Sequence, residues 1–497
     1  MFGSVRFNDV FRTWRNRARR YDPESIVRQA LQILNEPVDD PVKELRKAPW
    51  LSLLMVKWVC QDAFQDNKYA PPCTRAQVDE LRQRLWEFPD SLAARGRETL
   101  PMRLFIRQLL RPQLGFQRRL TKSFVREAAL LSMQGADHPL CEVFRRKTGF
   151  GLEEFVDFSV AAFSAILNGN RAIGVTFFDP LEATYGTEPI AAFRNQVSRD
   201  FPELVNFCRS LPHAGEKVAS EYFEFPALTR YPFFRDCDEL KVWHPTIFYR
   251  GMEGFVHSVL SEEGQDYIDR FSRLFERHVV EECQRVPCGF LDEETLRACV
   301  AEGSRVPDGL LSFPGVNVFV ESKAGLFDES VMAIGHNEMF RRKTRAITTG
   351  VGQAWATSAS LRECGVAPQD VLDAELDYLL IVTNKELGAS RGTALAEIYP
   401  DGALAYPSDQ AAKYLPLSRV YVLSIDDFER LISAAVAETI SIPDFLATCV
   451  ADDEIPEQQL MLFEQHLNRQ GVPLEFSAVV NTAFQESTSR LDRATRA

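Results

Sequence analysis

The sequence predicts a chain in two parts, a large mostly α-helical N-terminal region followed by an α/β layer domain. Three observations lead there. Up to about residue 215 apolar residues recur at three- and four-residue spacing, as in Ile26, Ala30, Ile33 and Leu34 and again in Phe155, Phe158, Ala161, Ala162 and Ile166, the period of a helix with one buried face. Between 220 and 250 the texture becomes aromatic and broken by proline, EYFEFPALTRYPFFRDCDELKVWHP, which marks a junction. Beyond it helical and strand-like runs alternate. The expected division is therefore a helical region over 1–220, an extended connecting segment over 221–262, an α/β domain over 263–440, and a helical tail with a disordered end over 441–497.

At 497 residues and 45% hydrophobic content the chain can bury at least one large core. Its first residues, MFGSVRFNDVFRTWRNRARR, lack the apolar stretch and small-residue cleavage site of a secretory signal, so a cytoplasmic location is expected. Ten cysteines occur without any CxxC pair, which argues against a disulfide framework or a structural zinc and for reduced thiols. A formal charge of -13 repels phosphate at long range, so any contact with nucleic acid must come from local basic surfaces.

Within the N-terminal half, Trp50 to Cys60 and Phe155 to Leu167 are the most apolar runs. Lys57 and Asp157 interrupt them, and they are too short for the ~30 Å hydrocarbon layer; they read as buried helices, with no membrane partner. Pro71-Pro72, Asn168-Gly169-Asn170 and Pro212 punctuate this half without an internal repeat. From Arg103 to Arg126 seven basic residues, Arg118, Arg119 and Lys122 among them, alternate with Phe105, Phe116 and Phe124 and meet no acid. Such a stretch either holds a phosphate backbone or turns its phenylalanines to the core and its charges to water.

In the second half, Asp266 to Cys283 places Ile268, Phe271, Phe275 and Val279 on one helical face, Leu376 to Thr383 suits a central strand covered on both sides, and Arg419 to Leu423 suits another. Ser424, three residues before Asp427, is placed to cap a helix running into Phe428 to Ala435. The chemistry lies in PDGLLSFPGVNVFVESKAG, Pro307 to Gly325. Two apolar runs flank Pro314-Gly315, which reads as a β-hairpin. If Ser312 pairs with Asn317, Asp308 stands opposite Glu321, within the ~5 Å of a cross-strand pair. Alternation puts Asn317, Phe319, Glu321 and Lys323 on one face of the second strand. Two carboxylates and an ammonium at a strand end supply hard oxygen ligands for Mg²⁺ and a cation beside a reacting phosphate. The alternative is a surface hairpin with an ordinary ion pair.

Pro307-Asp308, twelve residues, then Glu321-Ser322-Lys323 resembles motifs two and three of the PD-(D/E)XK, or restriction-endonuclease-like, nuclease superfamily over about residues 260 to 440. The resemblance implies a mixed central sheet flanked by helices and a Mg²⁺- (or Mn²⁺-) dependent endonuclease. Asp308, Glu321 and the backbone carbonyl of Ser322 would hold the metal, and Lys323 would assist the attacking water. It also implies a glutamate on the preceding helix, for which Glu276 is preferred over Glu281 and Glu282, and, in some branches, a glutamine on the following helix, here Gln353. Arg342, Thr349 and Gln353 fall within about 40° on a helical wheel, so that Arg342, with Lys343 and Arg345 beside it, could face phosphate. Gly350 and Gly352 would weaken that helix but permit close backbone approach.

The partner implied is nucleic acid, either DNA or structured RNA such as tRNA. A nuclease joined to a large helical region also resembles single-chain anti-phage defence proteins of bacteria, whose helical part senses a trigger such as a phage protein. A binding or scaffold protein with a nuclease-like fold is the competing reading. No GxxxxGK[ST], GxGxxG or HExxH is present.

Overall fold

The computed structural model describes residues 2–38, 40, 42, 44, 47–63, 69–88, 112–325, 341–342, 344–399 and 402–496. The fold is mixed α/β and divides into two compact units, Met1–Glu263 with Val479–Ala497, and Gly264–Ala478. Among the described residues no helix is long and apolar enough to cross a membrane.

The first unit is built on helices. In α1, Pro49–Gln61, every residue is buried, as befits a helix apolar on all sides. Its Lys57 is neutralised by Glu221 at 2.9 Å, which also accepts the indole N–H of Trp58 at 3.0 Å. Helix α2, Leu152–Leu167, is buried over most of its length. A four-stranded sheet in the order β1-β4-β3-β2 completes the unit, with β1 Ala172–Gly174, β2 Ser198–Arg199, β3 Phe233–Asp236 and β4 Glu239–Val242.

The segment 221–262 is not an extended connection. It forms the β3–β4 hairpin and two helices, α3 Pro245–Glu253 and α4 Phe255–Leu260. Trp243 is fully buried and its indole N–H donates to the Tyr231 carbonyl at 3.1 Å. The aromatic, proline-broken texture belongs to a small packed sheet whose strands are too short to show a period.

The second unit carries a five-stranded mixed sheet in the order β5-β6-β7-β8-β9. After α5, Gln265–Gln284, come β5 Gly289–Asp292, β6 Gly309–Phe313 and β7 Val316–Lys323, joined antiparallel. Helix α6, Arg345–Cys364, leads to β8 Leu376–Thr383 and on to β9 Val420–Ser424; β7, β8 and β9 run parallel. Helix α7, Ile425–Val436, begins on the Ser424 side chain, which accepts the N–H of Asp427 at 3.3 Å.

Val318 and Val320 on one face of β7, and Phe319 and Glu321 on the other, are all buried. Helix α6 packs against the Glu321 face, and α5 and α7 touch one another and the sheet. The apolar face of α5 differs from expectation at its start: Tyr267, stacked on Phe271 with ring centroids 5.7 Å apart, is buried, and Ile268 is 45% exposed.

The residues after 440 do not form a separate tail. Up to Ala478 they belong to the second unit, and α8, Ala478–Arg496, lies with the first from Val479 onward. Helix continues through Arg496, where the sequence suggested a disordered end. The reason is an ion pair: Arg490 donates to both oxygens of the buried Asp157 on α2, each at 2.8 Å.

Candidate active site

The Pro314-Gly315 turn, with Gly315 at φ +74°, joins β6 and β7 in the register Ser312↔Asn317 and Gly309↔Val320. One step further along that register, Asp308 stands opposite Glu321 at the carboxyl end of β7. This is the end of a parallel strand run, where open α/β sheets bind ligands. The Asp308 carboxylate accepts the backbone N–H of Ser322 at 2.6 Å, which ties it to the strand that carries Glu321.

Glu321 is 2% exposed. Its Oε1 accepts from the Lys323 ammonium, while Oε2 is buried and meets no hydrogen-bond donor among the described residues. Burial, and then the charge of Asp308, push this carboxyl up to about 7 against the opposing pull of Lys323. Glu276, half-buried on α5, is raised from the usual carboxylate range by burial first, then by the charges of Asp308 and Glu293, with Lys323 and Arg273 opposing. Asp308, Glu321, Glu276 and Lys323 therefore share one electrostatic neighbourhood, in which the Asp308 charge disfavours ionisation of Glu321 and Glu276.

A divalent cation would relieve that repulsion. Glu321 Oε2, buried and without a donor, offers a free lone pair, and hard carboxylate oxygens suit Mg²⁺ or Mn²⁺. Among the described residues no three His, Cys, Asp or Glu side chains close around a metal on their own. Mg²⁺ does not require that; it is usually held through one or two carboxylates, with waters and substrate oxygens completing the octahedron.

Gln353 lies half-buried on α6, less than one turn beyond Gly350, whose backbone rests on the Glu321 side chain. Arg345 is exposed at the first position of α6, and Arg342 is exposed ahead of it. Thr344, at φ −101° and ψ 11°, separates the two as the N-cap. Arg342 thus does not share a continuous helical face with Thr349 and Gln353, and Lys343 lies outside the described residues. Ser322 gives its N–H to Asp308; the metal role of its carbonyl rests on the resemblance.

Arg118, Arg119 and Lys122 belong to the other unit. In the described part of that basic stretch the aromatic residues serve packing: Phe124 is 2% exposed, and Phe116 stacks on Phe225 with centroids 5.4 Å apart. Arg126 is buried as well. Residues 103–111, Phe105 included, lie outside the described residues.

Two features escaped the sequence. Glu293, at the start of the one-and-a-half-turn helix Glu293–Ala298, adds its charge to Glu276. A buried polar cluster fastens α6 to the sheet: Arg362 donates to both oxygens of Asp377 at 2.8 Å, Ser358 donates to the same carboxylate, and the Asn317 amide reaches it at 3.2 Å. An acid within the strand LDYLLIVT was a signal, because a buried carboxylate needs a partner.

Compared with protein-family models, with curated proteins and with solved structures, the chain matches none of them.

Proposed function

We propose that this protein is a Mg²⁺- or Mn²⁺-dependent nuclease of the restriction-endonuclease-like type, hydrolysing phosphodiester bonds in DNA or in structured RNA such as tRNA. The observation that carries the reading is the buried, donor-less Oε2 of Glu321 next to Asp308, with Lys323 on the other carboxylate oxygen. A mixed sheet flanked by helices, with the carboxylates at the carboxyl end of β7, supports it.

Asp308, Glu321 and the Ser322 carbonyl would hold the metal, which when bound lowers the pKa of a water and offsets charge on the phosphate. Lys323 holds Glu321 in place through Oε1 and presents an ammonium where negative charge develops in the transition state. Glu276, with its raised proton affinity, stands beside Asp308 to accept or return a proton. Gln353, less than one turn beyond Gly350 on α6, would offer its amide to the same site. The helical first unit would recognise substrate or respond to a trigger such as a phage protein, in an anti-phage defence role.

The test is incubation of the purified chain with plasmid DNA, single-stranded DNA and tRNA, each with Mg²⁺, Mn²⁺ or EDTA. Cleavage that requires metal and is lost, by a hundredfold or more, in Asp308→Ala and in Lys323→Ala is the expected result and names the substrate. A chain that cuts none of these and shows no calorimetric Mn²⁺ binding sensitive to Asp308→Ala would be a scaffold with a nuclease-like fold.

A further inference from the structure

Glycine in mid-helix is unfavourable, so one that lies against another element calls for a packing reason. Helix α6 contains two, Gly350 and Gly352, with opposite surroundings. A Cβ on Gly352 would meet nothing within 4 Å. A Cβ on Gly350 would stand 3.0 Å from Cγ of Glu321 and 3.6 Å from both its Cδ and its Oε1, the first inside the ~3.5–4.0 Å of a good carbon–carbon contact.

The helix has little freedom to retreat from such a methyl. Downstream of Gly350 it is fastened to the second unit at three points. The Trp355 indole N–H donates to the Leu415 carbonyl at 2.8 Å, Ser358 donates to Asp377, and Arg362 grips both oxygens of Asp377. Asp377 is itself fixed in β8, the strand paired with β7 in the register Asn317↔Asp377. A side chain at 350 would therefore move Glu321, whose Oε1 is held by Lys323 and whose Oε2 is the buried lone-pair donor described above.

We propose that Gly350 is a positioning residue: the bare helix backbone at this point forms the wall against which the Glu321 carboxylate is set for metal binding. This rests on the nuclease reading and adds α6 to the parts that define the metal centre. Gly350 touches neither metal nor substrate and acts only through Glu321.

The experiment compares the unmodified chain with Gly350→Ala and Gly352→Ala, measuring Mn²⁺ affinity by calorimetry and the Mn²⁺-induced shift in Tm. Both substitutions add the same methyl to the same helix, so any general effect of helix propensity appears in both. The expected result is Mn²⁺ binding at least about tenfold weaker in Gly350→Ala, the range for losing a group that orients a ligand, with Gly352→Ala unchanged. The Tm shift reads metal binding even where a variant melts lower without metal. Equal Mn²⁺ binding by Gly350→Ala and the unmodified chain would overturn this inference alone. Absence of Mn²⁺ binding by the unmodified chain would bring down the metal reading, and this inference with it.

Discussion

Glu321 is the residue on which the site turns, and its environment makes a pH prediction with a definite sign. Burial and the neighbouring Asp308 raise its carboxyl from the ordinary value of 4.5 to about 7. An acid whose pKa rises on folding binds its proton more tightly in the folded chain. Folding is thus favoured below the ordinary carboxylate range and loses stability as pH climbs toward about 7. The penalty at pH 8 is on the order of 3 kcal/mol at most. Metal-free Glu321→Gln, which keeps the shape and removes the ionisation, should be more stable than the unmodified chain by about 1–3 kcal/mol at pH 8 and equal to it near pH 4. Urea unfolding in EDTA at the two pH values measures this; a difference that does not change with pH would sink the assignment. Mn²⁺ at pH 8 should reverse the order, because only the ionised glutamate gains a partner.

At the scale of elements, the helix α6 decides whether the site is well formed. Asp377 is completely buried, and its charge is met by Arg362, which also lies over the Tyr414 ring at 3.7 Å. Arg362→Met would leave an uncompensated carboxylate in the core, at a cost of about 3–5 kcal/mol, read as a lowered denaturation midpoint. Adding Asp377→Asn, which removes the charge and keeps the hydrogen-bonding shape, should restore at least half of the loss. A single variant that costs under about 1 kcal/mol would show that the pair does not anchor the helix. The hairpin beside α6 was legible in the sequence because its information is local: the Pro314-Gly315 turn sets the register, and alternation sets the face of Glu321. Strand β8 was legible as an apolar run, and the start of α7 by its serine cap. What lies against Gly350 was not, since nothing near residue 350 encodes a contact with residue 321. The buried face at the start of α5 was misjudged by one position, because Tyr267 and Ile268 are both apolar enough to satisfy the helical period.

At the scale of the whole molecule, the first unit is completed by the end of the chain. Helix α8 is polar over most of its surface, and only Val480 and Ser487 are buried, which is why composition alone makes it look like a solvated tail. Its tie is a charge: Asp157, 0% exposed, receives two hydrogen bonds from Arg490 and one from Tyr185. The 333 residues that separate Arg490 from Asp157 put the pairing beyond any local signal. Five of the six tryptophans, Trp14, Trp50, Trp58, Trp86 and Trp243, lie in the first unit, so fluorescence follows its unfolding. Arg490→Ala should destabilise that transition by about 3–5 kcal/mol, the cost of stranding a buried carboxylate. Arg490→Lys should recover only part of it, since an ammonium cannot reproduce the two parallel hydrogen bonds of a guanidinium. Truncation after Ser477 should do at least as much harm as Arg490→Ala. A truncated chain whose tryptophan transition matches that of the intact chain would mean that the helix is an appendage and that Asp157 finds its charge partner elsewhere.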